Sequence, residues 1–278
     1  MMDRYEEKYD GDIKELLEDA SYSLVWGEEA DVTLLAFDKE ELVGIGSLWT
    51  NSVHPNREYM GIFTKSENRR KGIGRQLYQQ LSSLSESKVF QAAVSSKDST
   101  AISFLKDCGF QLARKCYTTV LRGDFSSSND QMSYLSLNEA TEEQWDELVA
   151  LQLENYKDFH QTINALSDSI STMEWKKIIS AYLDKEHSYL LAKDGKIDAY
   201  ILCYEGEEPG EIEIGYVGGQ DVLNLPHYTA FYKNAIHQLK RQFEKVSIEA
   251  DDVDPFAFAA LNLFEYDQSD SWDTYIIG

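Results

Sequence analysis

Cysteine, long apolar runs and positive charge are all scarce in this chain of 278 residues. Its three cysteines lack metal-type spacing, which argues against a disulfide framework and against a cysteine zinc site. The longest apolar runs, such as residues 200–204, are far too short to cross a bilayer. The N-terminus has neither the basic start nor the apolar stretch of a signal peptide. These absences predict a cytoplasmic protein without a metal site and without a membrane partner.

The shortage of positive charge also limits the partners that the chain can attract. It has 26 basic and 49 acidic residues, a net charge of −23, so the phosphates of nucleic acids and anionic lipids would repel it. Residues 1–123 hold 19 acidic and 16 basic residues, whereas residues 124–278 hold 30 and 10. An anionic ligand is therefore expected in the first half, and a cationic partner near the second.

The length and composition predict two folded domains. Hydrophobic residues make up 42% and aromatic residues 12% of the chain, which excludes disorder as a description of the whole. The polar segment Gly123–Gln131, rich in serine, predicts a boundary between domains 1–123 and 131–278. A single domain with a serine-rich surface loop is the alternative.

Each half repeats one order of elements, at a spacing of about 155 residues. A hairpin and a third strand come first, followed by a helix, a strand and a second helix. The predicted strands of the opening part lie at 32–37, 42–49 and 58–64 in the first half, and at 189–192, 197–204 and 211–217 in the second. The repeat predicts a duplicated α/β domain.

The stretch between strand 58–64 and the following helix carries the clearest chemical signal. It contains two glycines and four basic residues, namely Gly72, Gly74, Arg69, Arg70, Lys71 and Arg75. A helix N-terminus has unpaired amides and partial positive charge, and glycines let a ligand approach the backbone, so a pyrophosphate site is predicted. A helix start with a solvated basic face is the alternative. The lysine and hydroxyl residue of a P-loop are missing after Gly74, and so is the third glycine of a dinucleotide fingerprint.

At these residues the sequence resembles the GNAT N-acetyltransferases. Residues 69–74 match that family's Q/R-x-x-G-x-G/A motif, and residues 101–110 resemble its A-I-x-L-Y-x-x-x-G-F block. The resemblance covers most of residues 30–121. It implies two tandem GNAT-like domains, each with a mixed, mostly antiparallel sheet flanked by helices, and a degenerate C-terminal copy.

The resemblance also implies acetyl-CoA as the donor cosubstrate. The amides near Arg70 to Arg75 would hold the pyrophosphate, the strand at 62–64 would pair with the pantetheine arm, and amides near Ile62 would stabilise the oxyanion. Strands 59–64 and 89–94 would splay apart to admit it. The cofactor-binding residues implied are Ile62, Phe63, Thr64, Arg69, Arg70, Lys71, Gly72, Ile73, Gly74 and Arg75.

The attacking amine must lose a proton, and Glu58 is the candidate catalytic base, since some members of the family have a glutamate at the start of this strand. Glu58 could equally be an exposed hairpin residue paired with Arg57. His54 is a second candidate base, although its place beside Pro55 is typical of a surface loop.

The general acid that the resemblance leads us to expect is missing. Leu105 stands where many relatives have a tyrosine, and Asp98 replaces a frequent asparagine, where it is also suited to cap a helix. A thiol of pKa about 8.5 leaves easily as a thiolate, so turnover does not require that tyrosine. Other tyrosines that could substitute are Tyr59, Tyr78 and Tyr117.

The second half resembles a degenerate copy of the first. Its segment 215–227 has glycines but no arginine or lysine, so bound CoA is not expected there. The acidic cluster 205–210 is typical of a hairpin tip, and the cluster 251–255 of a helix cap, with metal binding as the alternative for the latter.

Together these features predict an N-acetyltransferase of cytoplasmic location, monomeric or homodimeric. It would move an acetyl group to a primary amine of a small molecule or peptide by direct attack, and the charge asymmetry favours a cationic acceptor. The alternatives are a noncatalytic CoA-binding sensor or scaffold, and a partner-binding module without CoA.

Overall fold

The computed structural model describes residues 1–20, 22–85, 87, 89–123 and 133–278. The predicted linker, apart from Gly123, lies outside the described residues. The strands are β1 (Met2–Arg4), β2 (Val32–Asp38), β3 (Glu41–Trp49), β4 (Glu58–Thr64), β5 (Phe90–Ser95), β6 (Gln111–Val120), β7 (Leu135–Ser136), β8 (Leu183–Lys193), β9 (Lys196–Glu205), β10 (Glu211–Gly219), β11 (Lys245–Asp251) and β12 (Trp272–Ile277). The helices are α1 (Asp10–Leu17), α2 (Ile73–Leu84), α3 (Ser99–Asp107), α4 (Glu142–His160), α5 (Thr172–Ser180), α6 (Leu225–Lys240) and α7 (Pro255–Leu261).

The chain forms two compact units. Unit 1 comprises residues 1–94, 98–113 and 273–278, and unit 2 comprises residues 95–97 and 114–272. This grouping differs from the predicted ranges 1–123 and 131–278. The reason is that residues 116–120 of β6 pair with β11 inside unit 2, while Tyr275 of β12 is buried in the core of unit 1. The last strand of the chain thus completes the first unit.

In unit 1 the sheet order is β1-β2-β3-β4-β5-β12. The first three pairings are antiparallel, and β4 and β5 are parallel. One face packs on α2 and α3 through a cluster that includes Leu77, Leu81 and Leu105. The other face packs on α1 through a cluster that includes Ile13, Leu16 and the loop residue Leu24. Burial of apolar side chains on both faces fixes the sheet between the helices.

Unit 2 repeats this plan. Its sheet order is β6-β11-β10-β9-β8-β7, with three antiparallel pairings from β7 to β10 and a parallel pairing of β10 with β11. Helices α6 and α7 contribute much of its core, which includes Phe231, Ile236 and Phe256. The predicted duplication of a mixed, mostly antiparallel domain is confirmed. Helices α1, α4 and α5 and strands β1 and β12 lie outside the elements that the sequence predicted.

Candidate active site

Strands β4 and β5 separate soon after they meet. Among the described residues their pairing is confined to Glu58 with Phe90 and Tyr59 with Gln91, and the rest of β4 continues to Thr64 beside β3 alone. The predicted splaying of these strands is therefore confirmed. It leaves one edge of β4 open over residues 60–64.

The backbone direction along this edge follows from the pairing. The Glu58 N–H donates to the Val89 carbonyl at 3.1 Å, and so points away from β3. Because backbone groups alternate in direction along a strand, those of Ile62 and Thr64 point to the same side, into the gap. These are two of the residues expected to pair with an extended ligand.

The carbonyls of Ile62 and Thr64 on this open edge already have partners. The Tyr22 hydroxyl donates to the Ile62 carbonyl at 2.6 Å, and Arg69 Nε donates to the Thr64 carbonyl at 3.1 Å. What the edge offers to a ligand is therefore the N–H groups of Ile62 and Thr64. A ligand with carbonyl oxygens suits such an edge better than one with N–H donors.

The N-terminus of α2 lies next to this edge. Gly72 is its N-cap, in the left-handed region at φ +86°, and no side chain in the described part of the chain caps the helix. A Cβ at Gly72 would have no described neighbour within 4 Å, and Gly72, Ile73 and Gly74 all line a pocket. The helix dipole adds partial positive charge there. The fit to an anion such as a diphosphate is good.

Arginines surround this helix end. Arg69, Arg70 and Arg75 all line the pocket, and Arg70 has a left-handed backbone at φ +62°. Arg75 also donates to the Asp107 carbonyl at 3.3 Å. Lys71 is not among the described residues that line the pocket. The positive charge at the site thus comes from the guanidinium groups, which suit phosphate oxygens through their forked geometry.

The pocket bounded by these features has a volume of about 250 Å³. Nine of the ten predicted cofactor residues line it, all except Lys71; whether they bind the cofactor stays a prediction. The residues that the sequence did not single out as cofactor-binding are Asp19, Tyr22, Asn68, Asp98, Thr100, Ala101, Ser103, Phe104 and Asp107. Thr100, Ser103, Phe104 and Asp107 recur at helical spacing, so the periodicity of α3 was a signal that could have found them. Tyr22 gave no such signal.

Glu58 lies outside the set of described residues that line the pocket. Its carboxylate accepts hydrogen bonds from Ser85 Oγ and, at 2.6 Å, from Ser87 Oγ. These bonds hold it beside the first residues of β5. His54 lies in the β3–β4 connection, where its N–H donates to Asn51 Oδ1 at 2.7 Å. The role of either residue as a base stays a prediction.

The structure places the candidate acids apart from the pocket. Tyr59 stacks on Trp49 at 5.8 Å, and the Tyr78 hydroxyl donates to the Cys108 carbonyl at 3.2 Å. Tyr117 belongs to the core of unit 2, and Leu105 to that of unit 1. Of the tyrosines in the described ranges, Tyr22 lines the pocket. Asp98 accepts from the amides of Thr100 and Ala101, so its predicted capping of α3 is confirmed.

In unit 2, aromatic side chains pack closely against the corresponding strand, β10. Strands β10 and β11 pair through residues 211–214 and 245–248, after which β10 continues with Gly218 and Gly219. The Tyr200 hydroxyl and the Tyr228 ring occupy the space that a Cβ at these glycines would need. The hydroxyl of buried Tyr232 donates to the Gly218 carbonyl at 3.0 Å. Aromatic side chains thus pack against this end of β10, and residues 215–227 contain no arginine or lysine to attract a phosphate.

The acidic cluster 251–255 is structural. Asp254 accepts from the amides of Phe256 and Ala257, which confirms its predicted capping of α7. Asp251 Oδ2 accepts from Arg114 at 2.7 Å and contacts His160 Nε2 at 2.9 Å. Burial raises the pKa of Asp251, but these two partners outweigh burial and hold that pKa below its usual range.

No group of three or more histidine, cysteine or acidic side chains in the described ranges is arranged to hold a metal ion. Within the same ranges, no helix combines the length and the apolar character that crossing a membrane requires.

Residues 1–110 match the sequence model of the acetyltransferase (GNAT) family. No curated protein matches the chain.

Three solved structures resemble the chain over nearly its whole length. A GCN5-related N-acetyltransferase from Sphaerobacter thermophilus has 13% identity and a TM-score of 0.58, covering 97% of this chain and 88% of its own. An acetyltransferase of the GNAT family from Colwellia psychrerythraea has 11% identity and a TM-score of 0.52, with 100% of both chains covered. A tandem GNAT protein from the clavulanic acid biosynthesis pathway has 11% identity and a TM-score of 0.51, covering 100% and 98%. At such identities the likeness shows the fold, that of two consecutive GNAT domains.

Proposed function

We propose that unit 1, where residues 1–110 match the sequence model of the acetyltransferase (GNAT) family, transfers an acetyl group from acetyl-CoA to a primary amine. One observation carries the proposal. A single pocket joins an uncapped, arginine-rich helix N-terminus to an open strand edge that presents N–H groups. The first feature suits a diphosphate and the second suits a chain of amide carbonyls, and CoA contains both.

The residues that would hold the donor follow from this fit. The amides of Gly72 to Arg75, with Arg69 and Arg70, would hold the diphosphate. The N–H groups of Thr64 and Ile62 would hold the pantetheine arm as an added strand. When bound, the thioester supplies an acyl carbon that is activated toward an amine.

The chemistry of the chain's own residues is then limited to two tasks. The N–H of Ile62 would stabilise negative charge that develops on the acyl oxygen, since a fixed backbone donor needs no reorganisation. Glu58 would take the proton of the amine. A tyrosine acid is not needed, because the thiolate is a good leaving group. The charge asymmetry, with 30 acidic and 10 basic residues in 124–278, favours a cationic acceptor.

The proposal is tested by release of free thiol from acetyl-CoA in the presence of amino acids, polyamines and peptides. We expect acceptor-dependent release, and for cationic acceptors a KM that rises with salt. Binding of CoA without release in the presence of any amine would support a sensor or scaffold instead. An absence of CoA binding would overturn both.

A further inference from the structure

Tyr22 lies between two cavities of unit 1. It lines the candidate CoA pocket, where its hydroxyl contacts the Ile62 carbonyl. It also lines a second cavity, which is wide open to solvent and whose other described lining residues are Leu17, Ala20, Ser23, Leu24 and Trp26. Tyr22 thus belongs to the linings of both cavities.

A close contact fixes the segment that carries Tyr22. A Cβ at Gly61 would lie 2.0 Å from Leu24 Cδ1, so Leu24 takes the space that any other residue at position 61 would fill. Leu24 is itself buried, in the cluster that packs between the sheet and α1. This contact seats the chain directly on β4 and brings Tyr22, two residues earlier, to Ile62.

The position of Tyr22 along the pocket is set by the order of the site residues. The helix end at Gly72 suits the diphosphate, Thr64 is the nearest residue of the strand edge to it in sequence, and Ile62 lies further along the edge. An extended ligand that begins at Gly72 and follows β4 would therefore reach Ile62 with its far end. In CoA thioesters that far end carries the acyl group.

We propose that Tyr22 closes the acyl end of the pocket and so restricts the donor to short acyl chains. The inference rests on the proposed function. The second cavity, with the apolar residues Leu17, Leu24 and Trp26 in its lining, would receive a longer chain once the ring is removed. Burial raises the pKa of Tyr22 to about 12, so its hydroxyl keeps its proton and its hydrogen bond at working pH.

The test compares Tyr22→Ala, which removes the wall, with Tyr22→Phe, which keeps the ring and loses only the hydroxyl. The dissociation constants of acetyl-, butyryl- and hexanoyl-CoA are measured by calorimetry on the full chain. The rates of acyl transfer to an amine are measured with the same three donors. The wild type and Tyr22→Phe should bind hexanoyl-CoA at least tenfold more weakly than acetyl-CoA. Tyr22→Ala should abolish or reverse this preference, since each methylene buried in an apolar site is worth about fourfold in affinity.

Each outcome separates this inference from the proposed function. If the wild type binds no CoA thioester, the proposed function fails. If it binds and transfers acetyl but accepts hexanoyl-CoA equally well, or if Tyr22→Ala keeps the wild-type preference, the wall is refuted and the acetyltransferase stands. Should Tyr22→Ala fail to fold, Tyr22→Leu provides the same comparison with a smaller gain expected for butyryl-CoA.

Discussion

Leu24 occupies the space beside Gly61 so closely that a Cβ on Gly61 would lie 2.0 Å from the Leu24 Cδ1 atom. Gly61→Ala should therefore lower the free energy of unfolding by about 1–3 kcal/mol through overpacking. Leu24→Ala alone should cost about 2–5 kcal/mol through the cavity that it leaves. The double variant should cost less than the sum, because each change relieves the other. Denaturant unfolding of all four proteins measures this coupling, and additive costs would show that the contact is not tight.

Arg70 and Lys71 form a matched pair of neighbouring cations, of which Arg70 lines the pocket and Lys71 does not belong to the described lining. Arg70→Gln should raise the Kd for CoA about 10- to 100-fold, the usual value of a hydrogen bond to a charged group. Lys71→Gln should change it less than about threefold, through screened charge alone. Calorimetric titration at 0.15 M salt distinguishes the two. Equal losses would mean that the site responds to net charge rather than to position.

Glu58 should matter for turnover and not for donor binding, since it lies apart from the described pocket lining. Glu58→Gln should reduce kcat about 10²- to 10⁴-fold, as expected for loss of a general base. Its Kd for CoA should stay within about twofold of the wild type. Ser87→Ala, which removes one hydroxyl that donates to this carboxylate, is the control for an altered local structure. An unchanged kcat in Glu58→Gln would eliminate Glu58 as the base.

Asp254 should make the protein less stable as the pH rises. Burial raises its pKa from an ordinary 3.8 to about 6 in the folded chain. Its contribution to stability is therefore complete below about pH 4 and is lost as the pH passes through 6. Asp254→Asn keeps an oxygen to cap α7 and removes the charge, so it should stabilise the chain by about 1–3 kcal/mol at pH 7.5 relative to its effect at pH 4.

Denaturant unfolding at several pH values between 4 and 8 tests this prediction. Asp98→Asn is the control, because Asp98 caps α3 in the same way. A gain at pH 7.5 that is no larger than the gain at pH 4 would contradict the predicted direction.

Local sequence patterns predicted much of the fold. The strand at 58–64 and the hairpins are visible as alternating apolar segments, and the turn at Gly72 is visible as glycine among basic residues. The sequence does not show that β6 pairs in unit 2 while β12 completes unit 1. The pattern of β12 is that of any short strand, and tertiary packing decides its partners. The contact of Tyr275 with the core of unit 1 has no local signature.

The candidate site divides in the same way. Residues 62–64 and 69–75 are contiguous and carry a motif, whereas Tyr22 reaches the pocket through the contact between Leu24 and Gly61, 37 residues apart in sequence. Lys71 belongs to the motif, but it is not among the described residues that line the pocket. The sequence motif does not show which of its basic residues line the pocket, and the structure does. In unit 2, residues 215–227 have glycines but no arginine or lysine, so the sequence itself indicated that CoA is not expected there.

The most direct test of the account is the stoichiometry of CoA binding to the full chain by calorimetry. The open edge and uncapped helix of unit 1, with the lack of arginine and lysine in residues 215–227 of unit 2, predict one CoA per chain and a loss of binding in the triple variant Arg69→Gln, Arg70→Gln, Arg75→Gln. Two CoA molecules per chain would contradict the assignment of unit 2 as a degenerate copy. A wild-type chain that binds no CoA at all would contradict the site itself.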